Sequence, residues 1–501
     1  MATFVASRLL GLLRDVVISA HFGTSDALDA YNAAFRIPDI IFTLMAGGAL
    51  ASAFIPTFSG YLARDDDEGA WRLASGIINL LLVALTVAAI SAALLAEPLV
   101  VHVLAPGFSP EKQALTIPLM RLLLIAPVLF SVSGVVMGIL NAQQDFVLPG
   151  LAPIAYNLAI IAGAMWLSPT LGIYGLALGA VIGAGLHFLV QVPGLIKVGA
   201  RYSARWSLRD PGVRQVLRLM APRVLGLAIM QINFLVETIL ASHLGTGAVS
   251  ALNYAWRVML LPQGVVAQSV AIAAFPTFSD QFARGQLDQL RAALSATLRV
   301  ILFIAIPSAM GLVALRVPLI QLIFQRGEFR DTSTELVATA LGCYALGLIG
   351  HSGVEILTRA FYGMRDTRMP VALGVVSLII NLVLSLSLIN GLGIAGLALA
   401  NTVAALTEMI LLAWALRSRL NGLEDRRVVE TTLKTLAASL VMAVCVVGFL
   451  QLTASAGVMV RGLGGMIVGA GVFAVAAWWL RVEELHSLLG IVRRRLRPRT
   501  P

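Results

Sequence analysis

Apolar residues occur in this chain as long, nearly uninterrupted stretches that are separated by short polar segments. Fourteen of the stretches reach or approach the roughly 20 residues that an α-helix needs to cross the hydrocarbon core of a bilayer. The pattern therefore predicts an all-α membrane protein with fourteen transmembrane helices. The predicted spans lie at about 1–20, 33–60, 73–104, 115–140, 150–168, 172–196, 214–241, 251–278, 293–316, 335–361, 370–390, 393–416, 433–453 and 459–480.

Short motifs recur along the chain at one nearly constant offset. Residues 175–178 read Gly-Leu-Ala-Leu, and the same four residues return at 396–399. Phe-Pro-Thr-Phe-Ser at 275–279 repeats the Phe-Ile-Pro-Thr-Phe-Ser of 54–59 with one residue fewer. A long repeat in an apolar chain is typical of transporters that are built from two related bundles around a central site.

The repeat also predicts how the helices are organised. We expect residues 1–200 to form an N-terminal lobe of six helices and residues 213–420 to form a C-terminal lobe of six, related to the first as a parallel repeat. Residues 432–481 would add two further helices. Residues 482–501, rich in arginine, would form a basic cytoplasmic tail.

Composition and charge agree with a bilayer as the solvent. Hydrophobic residues make up 58% of the chain, charged residues 12%, and the mean hydropathy is +0.89. With a cytoplasmic N-terminus, the segments predicted inside hold about 22 Lys and Arg and the outside loops about five, a bias that predicts both termini inside. The net charge of +10 is then mainly a topology signal, which argues against a nucleic-acid partner.

Motifs of soluble enzymes are missing from the sequence. It contains no P-loop, no His-Glu-x-x-His and no Gly-x-Ser-x-Gly, so we expect a protein that is not an enzyme. Cys343 and Cys445 both lie inside predicted spans, where neither a disulfide framework nor a firm metal site is expected.

Ionisable and polar side chains nevertheless line one face of the first two predicted helices, at helical spacing. Such residues are unfavourable in lipid, by roughly 2.5–3.5 kcal/mol each on insertion scales, so we expect them to face a cavity or a partner. The stripes consist of Arg8, Arg14 and Asp15 in the first helix and of Asp29, Asn32, Arg36 and Asp39 in the second.

The second repeat carries matching stripes, with Arg223 and Glu237 in the seventh helix and Asn253 and Arg257 in the eighth. Equivalent helices of two repeats would line one shared cavity. Arginine suits such a cavity because its planar fork binds phosphate oxygens two at a time and keeps its charge. A head group that carries phosphate is the cargo that the arginines favour.

Another interpretation of these residues stays open. The charges could neutralise one another, as Arg8 with Asp15, Arg36 with Asp39, and Arg223 with Glu237. In the tenth helix His351, Glu355 and Arg359 follow one another at intervals of four residues, which favours a structural charge pair over a proton relay.

A coupling ion is a further hypothesis from the sequence. Asn381 and Asn401 lie in the eleventh and twelfth spans, where with Glu237 they could offer oxygen ligands to a small cation. Na⁺ and H⁺ are the candidate coupling ions, and no organic cofactor is expected.

Several motifs resemble the MurJ (MviN) family of lipid II flippases. The matching segments are Ser-Arg-Leu-Leu-Gly-Leu-Leu-Arg-Asp at 7–15, Phe-Arg-Ile-Pro at 35–38, Tyr-Ala-Trp-Arg at 254–257 and Arg-Ala-Phe-Tyr-Gly-Met-Arg-Asp at 359–366. The family belongs to the multidrug, oligosaccharidyl-lipid and polysaccharide exporter superfamily. The resemblance implies two six-helix lobes and two extra helices that form a groove for the lipid tail.

The resemblance also implies roles for single residues. Arg8, Arg14 and Arg257 would line a cationic cavity with support from Asp29, while Glu237 and Asn381 match positions at which relatives keep cation ligands. The chain departs from the family where Phe42 and Thr43 replace a usual pair of arginines, where Trp256 and Leu260 replace usual acidic residues, and where Ser385 replaces an expected aspartate.

We therefore expect a flippase that moves an undecaprenyl-pyrophosphate-linked peptidoglycan precursor from the inner to the outer leaflet of the bacterial cytoplasmic membrane by alternating access. A flippase for another polyprenyl-linked glycan and a cation-coupled drug exporter of the same fold are the alternatives. A membrane glycosyl- or phosphotransferase would need a larger loop outside the membrane, and a scaffold would not need polar stripes. Expected partners are membrane lipids and the lipid-linked cargo, with cell-wall synthesis enzymes as candidates.

Overall fold

A computed structural model describes residues 2–45, 48–204 and 209–485, and these residues are almost entirely helical, with no strand among them. The predicted all-α architecture is confirmed. Of the predicted basic tail at 482–501, only residues 482–485 lie within the described range. The side chain of Arg223 also lies outside the description.

The α-helices follow one another with short connections. In chain order they are α1 (Ala2–Phe22), α2 (Asp26–Met45), α3 (Gly48–Leu62), α4 (Asp67–Leu94), α5 (Ala96–Pro98), α6 (Pro110–Leu123), α7 (Ile125–Ala142), α8 (Val147–Ala162), α9 (Ser168–Leu171), α10 (Ile173–Leu189), α11 (Val192–Lys197), α12 (Pro211–Ala241), α13 (Ala248–Pro262), α14 (Gln268–Ala283), α15 (Leu287–Phe324), α16 (Asp331–Gly363), α17 (Arg368–Leu392), α18 (Ile394–Arg419), α19 (Asp425–Leu452) and α20 (Gly465–Trp479). Wider π-helical turns occupy Leu99–Leu104, Gly163–Leu167, Gln263–Ala267 and Val460–Gly464, and a 3-10 turn occupies Ser242–Leu244.

Within the described ranges, 11 helical segments are long and apolar enough to cross a membrane. The predicted spans at about 1–20, 33–60 and 251–278 are not among them, although each coincides with helices, namely α1, α2 with α3, and α13 with α14. Of these helices, α1, α2 and α13 carry the polar stripes, and polar residues lower the mean hydropathy of a segment, while α3 and α14 are only 15 and 16 residues long. The count of fourteen spans stays a prediction. The 11 segments are Asp67–Leu94, Pro110–Ala142, Val147–Leu171, Ile173–Lys197, Gly226–Leu244, Leu287–Phe324, Asp331–Gly363, Arg368–Leu392, Ile394–Arg419, Asp425–Leu452 and Val460–Trp479.

Helix packing divides the chain into two compact units. The first contains Met1–Ser250 with Arg326–Arg330, and the second contains Ala251–Gln325 with Asp331–Pro501. The first unit includes α12, which packs on α2 and α3, although its sequence belongs to the second predicted repeat. Because sequence repeats and packing units are different properties, the predicted lobe boundaries at 200 and 213 stay predictions.

Each unit has an aromatic core at the position of the repeated motif. Phe54 and Phe58 are fully buried in the first unit, where Phe58 meets the ring of Trp71 edge-on at 5.9 Å between centroids. Phe278 and Phe361 are buried in the core of the second. Since lipid tails are as apolar as these side chains, close packing and not exclusion from water stabilises such contacts within the membrane.

The repeat is visible in the backbone at the turns that end α7 and α16. Gln144 and Arg365, which occupy equivalent positions of the repeat, both have φ of +61°. Asp145 and Asp366 follow them, and each carboxylate accepts a hydrogen bond from the backbone N–H two residues later, at 3.1 and 2.9 Å. Two copies of one turn therefore begin α8 and α17.

Candidate functional site

Arg14 lies on α1 with its side chain only 20% exposed. Its Nε and Nη2 donate to Asp15 Oδ1 at 3.1 and 2.9 Å, and its Nη1 donates to Asn157 Oδ1 on α8 at 3.1 Å. These bonds use three of the five N–H groups of the guanidinium. The predicted binding arginine is thus held in place by two neighbours and keeps donors for an anion.

The polar face of α2 is attached to α12 in the first unit. Arg36 Nε donates to Thr238 Oγ1 at 3.1 Å, and its guanidinium lies 5.3 Å from the centre of the Phe234 ring. One turn further on, Asp39 Oδ2 accepts from Gln231 Nε2 at 3.2 Å. The polar stripe predicted on α2 therefore forms part of the contact between α2 and α12 in this conformation.

Asp29 is completely buried at the centre of a hydrogen-bond cluster. Its Oδ2 accepts from Lys112 Nζ at 2.8 Å and from the Gly247 N–H at 2.7 Å, while Oδ1 accepts from the Ser250 N–H at 2.8 Å. The hydroxyl of Ser250 bonds to the same carboxylate and accepts from Asn32 Nδ2 at 3.1 Å. The carboxylate therefore meets four donors, which fill its acceptor positions.

Gly247 brings the backbone close enough to join this cluster. Its φ is +84°, which an L-residue rarely adopts, and a Cβ there would lie only 2.7 Å from the carbonyl oxygen of Thr24. The turn between α12 and α13 can reach Asp29 because this position has no side chain.

Lys112 is a charged residue of this cluster that sequence reasoning missed, because it lies between the spans predicted at 73–104 and 115–140. Its side chain is 7% exposed and its Nζ lies between Asp26 Oδ1, at 2.7 Å, and Asp29. A usable signal was present, since Lys112 falls in the first turn of α6, where the helix dipole disfavours a cation unless an anion is near.

The remaining predicted residues are distributed over both units. Arg8 is exposed on α1 in the first unit, where Glu237 is half-buried on α12. Arg257 is half-buried on α13 in the second unit, in which Asn381 on α17 and Asn401 on α18 are buried. Arg8, Glu237 and Arg257 all have interaction partners.

The second unit holds the predicted pair on α16. Arg359 Nη2 lies 2.5 Å from Glu355 Oε1, and two turns before Arg359 the Nε2 of His351 lies 3.0 Å from Asn401 Oδ1. The ring of Trp256 meets that of His351 edge-on, with 5.2 Å between centroids. The described residues contain no group of three His, Cys, Asp or Glu that could hold a metal ion.

Comparison with known proteins identifies the family. The profile described as Lipid II flippase MurJ matches residues 18–464 of the chain. The chain belongs to the MurJ family.

Two relatives show how far the similarity extends. A protein of Burkholderia cenocepacia named Lipid II flippase MurJ is 33% identical over 421 residues, which cover 82% of this chain and 81% of that protein. A protein of Bdellovibrio bacteriovorus named Probable lipid II flippase MurJ is 31% identical over 464 residues, which cover 92% and 88%. The predicted resemblance is confirmed over most of the chain.

Solved structures agree with this fold. A structure titled Lipid II flippase MurJ, inward closed conformation superposes with a TM-score of 0.80 at 25% identity, covering 96% of this chain and 98% of that one. An inward-facing multidrug resistance MATE family transporter of the MOP superfamily gives a TM-score of 0.72 at 18% identity over 84% and 96% of the two chains. The latter likeness concerns the fold alone.

Proposed function

We propose that this protein is a flippase that moves lipid II, the undecaprenyl-pyrophosphate-linked peptidoglycan precursor, from the inner to the outer leaflet by alternating access. Membership of the MurJ family over residues 18–464 is the observation that carries the proposal. The protein acts as a transporter in cell-wall synthesis, and it performs no chemical step on its cargo.

The cationic groups supply the chemistry that this cargo needs. Arg14 is oriented by Asp15 and Asn157 and retains two N–H donors, which fit a pyrophosphate oxygen. Arg8, Arg36 and Arg257 would contribute further charge as the head group moves past α1, α2 and α13. The exposed apolar faces of α19 and α20 suit the polyprenyl tail, since side chains such as Val444 and Ile467 are 72% and 73% exposed.

The Asp29 cluster supports alternating access. The cluster connects α2 and α6 to Gly247, in the turn before α13, and to Ser250 at the start of α13. Gly247 and Ser250 belong to the second sequence repeat, so a segment of that repeat is bonded to one end of the first packing unit. Opening at this end must separate Asp29 from Gly247 and Ser250. We propose that the cluster forms and breaks once in every transport cycle.

The membrane potential can drive the cycle without a nucleotide. Moving one elementary charge across 100 mV is worth about 2.3 kcal/mol, so a head group with two negative charges that leaves an inside-negative cell gains roughly 4–5 kcal/mol. Na⁺ or H⁺ remains the candidate coupling ion, and Glu237 with Asn381 and Asn401 remains the proposed cation set. Flipping that continues unchanged in Glu237→Gln would remove Glu237 from that set.

The proposal is tested with purified protein in lipid vesicles. Native mass spectrometry should detect bound lipid II, and Arg14→Ala should lose it, while Arg121→Ala should keep it because Arg121 is exposed and, within the described ranges, donates only to the Ala93 carbonyl. Retention of a different polyprenyl-linked glycan would favour the first alternative. Retention of hydrophobic drugs without any lipid-linked glycan would favour the exporter of the same fold.

The orientation is tested by labelling a variant without Cys343 and Cys445. Glu111→Cys and Arg330→Cys should react with an impermeant thiol reagent added to whole cells, whereas Tyr202→Cys should not. All three positions are exposed in the structure, so a difference in labelling reports the side of the membrane. The reverse pattern would contradict an inner-membrane topology with both termini in the cytoplasm.

A further inference from the structure

Three aromatic rings pack together in the interior of the first repeat. Phe130 on α7 meets Tyr156 on α8 edge-on at 5.0 Å between centroids and meets His187 on α10 at 5.2 Å. His187 is bonded in turn to Ser133, at 2.6 Å from Nδ1 to Oγ. This part of the first repeat therefore combines three packed rings with a hydrogen bond from one of them to a serine.

The equivalent positions in the second repeat carry one ring instead of three. The offset between the repeats, which the paired turns at Gln144 and Arg365 establish in the backbone, places His351, Ser377 and Glu408 at the positions of the three rings. An acidic carboxyl group thus stands in the middle of α18, where the first repeat has the imidazole of His187. An ionisable residue at such a depth points to function.

The face of α17 that packs on α18 is polar as well. Besides Pro370, the buried residues of this helix are Ser377, Asn381 and Ser385, spaced four residues apart, although the rest of the helix is strongly apolar. Ser377 Oγ lies 3.1 Å from the Ala404 carbonyl oxygen and also hydrogen-bonds the carboxyl group of Glu408. Ser377 therefore connects the carboxyl group to a backbone acceptor.

The hydroxyl of Ser377 has one proton, and that fact distinguishes two states of Glu408. If the proton points to the Ala404 carbonyl, the hydrogen bond between Ser377 and Glu408 needs a protonated carboxyl group as its donor. If Glu408 is ionised, Ser377 must turn its proton to the carboxylate and leave the carbonyl. Each protonation state thus has its own hydrogen-bond arrangement.

The charged groups around Glu408 leave it without a compensating cation among the described residues. The titratable groups in this part of α16 are His351, which is bonded to Asn401, and Glu355 and Arg359, whose opposite charges neutralise each other. The sequence of α17 contains one titratable residue, Arg368 at its first position. Glu408, half-buried on α18, therefore has no ion-pair partner in the parts of the chain that the structure describes.

We propose that Glu408 is a proton-binding site that takes up a proton from water in one conformation of the transport cycle and releases it to water in the other. The site consists of Glu408, Ser377 and the Ala404 carbonyl. Its role in driving export rests on the proposed function, whereas proton binding itself does not.

Infrared difference spectra of the full chain in lipid, recorded between neutral and alkaline pH, test proton binding, because carboxyl groups with ordinary pKa values are ionised at both ends of this range. The wild type should show a carboxylic acid C=O band that disappears as the pH rises, Glu408→Gln should lack this band, and Glu355→Gln should keep it because Glu355 is paired with Arg359. Ser377→Ala should keep the band at a shifted frequency. A band that survives in Glu408→Gln, or no such band in the wild type, would overturn the site.

Coupling is tested in vesicles that contain lipid II. One proton exchanged per lipid should bias the final distribution of the cargo between leaflets about tenfold for each pH unit across the membrane. Glu408→Gln should lose this bias while it still binds the cargo, and a bias that persists in this variant would contradict the coupling role. If the wild type fails to bind lipid II, the proposed function fails, and the infrared result still decides whether Glu408 binds a proton.

Discussion

Two buried ionic clusters of the first unit, around Asp29 and around Arg14, differ in how fully their hydrogen-bonding groups are used. Asp29 accepts from four donors and has no position left for a ligand. Arg14 donates three of its five N–H groups to Asp15 and Asn157. Burial alone does not distinguish the two clusters, but the count of donors and acceptors does: the Asp29 carboxylate is saturated by protein groups, whereas Arg14 keeps two N–H groups for the proposed cargo.

Removal of Asp29 should have the largest effect on stability. Asp29→Ala leaves the ammonium of Lys112 buried with Asp26 and the ring of Phe108 as its partners, and breaking a buried ion pair in this way is expected to lower stability by about 3–5 kcal/mol. The thermal midpoint in detergent should fall markedly. The matched control is Asp26→Ala. Asp26 bonds the same lysine, but its side chain is 58% exposed, so its removal should change stability by only about 0–1 kcal/mol.

Equal effects of the two aspartate variants would contradict the inference that the buried Asp29, and not the exposed Asp26, holds this cluster together. So would full stability of Asp29→Ala. A variant that destabilises the protein but still exports lipid II at the normal rate would show that the cluster need not re-form in each cycle.

Arg14 should show the opposite behaviour, with a large effect on cargo. Arg14→Lys should lose about 1.5–3 kcal/mol of binding, because a charge-assisted bond of the planar fork to pyrophosphate disappears while the positive charge next to Asp15 remains. Binding of lipid II by titration and the thermal midpoint should be measured together. The double variant Arg14→Gln, Asp15→Asn removes both charges and should keep its stability while it loses the cargo.

Binding by the double variant at the level of the wild type would exclude Arg14 as a contact of the head group. A loss of stability equal to that of Asp29→Ala would mean that Arg14 is structural after all.

Sequence reasoning predicted the helical class, the repeat and the family, because long apolar runs and spaced motifs are local properties of the chain. It could not predict Lys112 as the partner of Asp29, since the two residues are 83 positions apart and meet only when α6 packs on α2. For the same reason it missed Asn157, Thr238 and Gln231 as neighbours of the predicted stripes. Glu408 escaped notice because a single carboxyl group in an apolar helix forms no stripe of its own.

Lys112 allows an intermediate test of the Asp29 cluster. Lys112→Met removes one of the four donors to Asp29 and leaves the two backbone N–H groups and the Ser250 hydroxyl, so the loss should be about 1–3 kcal/mol, below that of Asp29→Ala. The double variant with Asp29→Ala should be less unstable than the sum of the two single variants. Strict additivity of the two changes would show that Lys112 and Asp29 do not stabilise each other.

The smallest expected effect lies at the repeated turns outside the helices that cross the membrane. Burial of Asp366 would raise the pKa of its carboxyl group, but the N–H of Met369 and the guanidinium of Arg419, 2.6 Å away, outweigh burial and lower that pKa below its ordinary value. A lowered pKa in the folded state means that the stabilisation is present above the pKa of the unfolded chain, near 3.9, and is lost as the pH falls through the lower folded value. Asp366→Asn should therefore reduce stability by up to about 1 kcal/mol at neutral pH and by less below pH 4.

Asp145→Asn in the first copy of the turn is the matched control. Asp145 makes the same bond to the backbone but has no arginine bonded to it among the described residues, so its effect should be smaller. Thermal midpoints of both variants at neutral and acid pH decide the matter, and an equal response of the two turns would show that Arg419 contributes nothing to the second one.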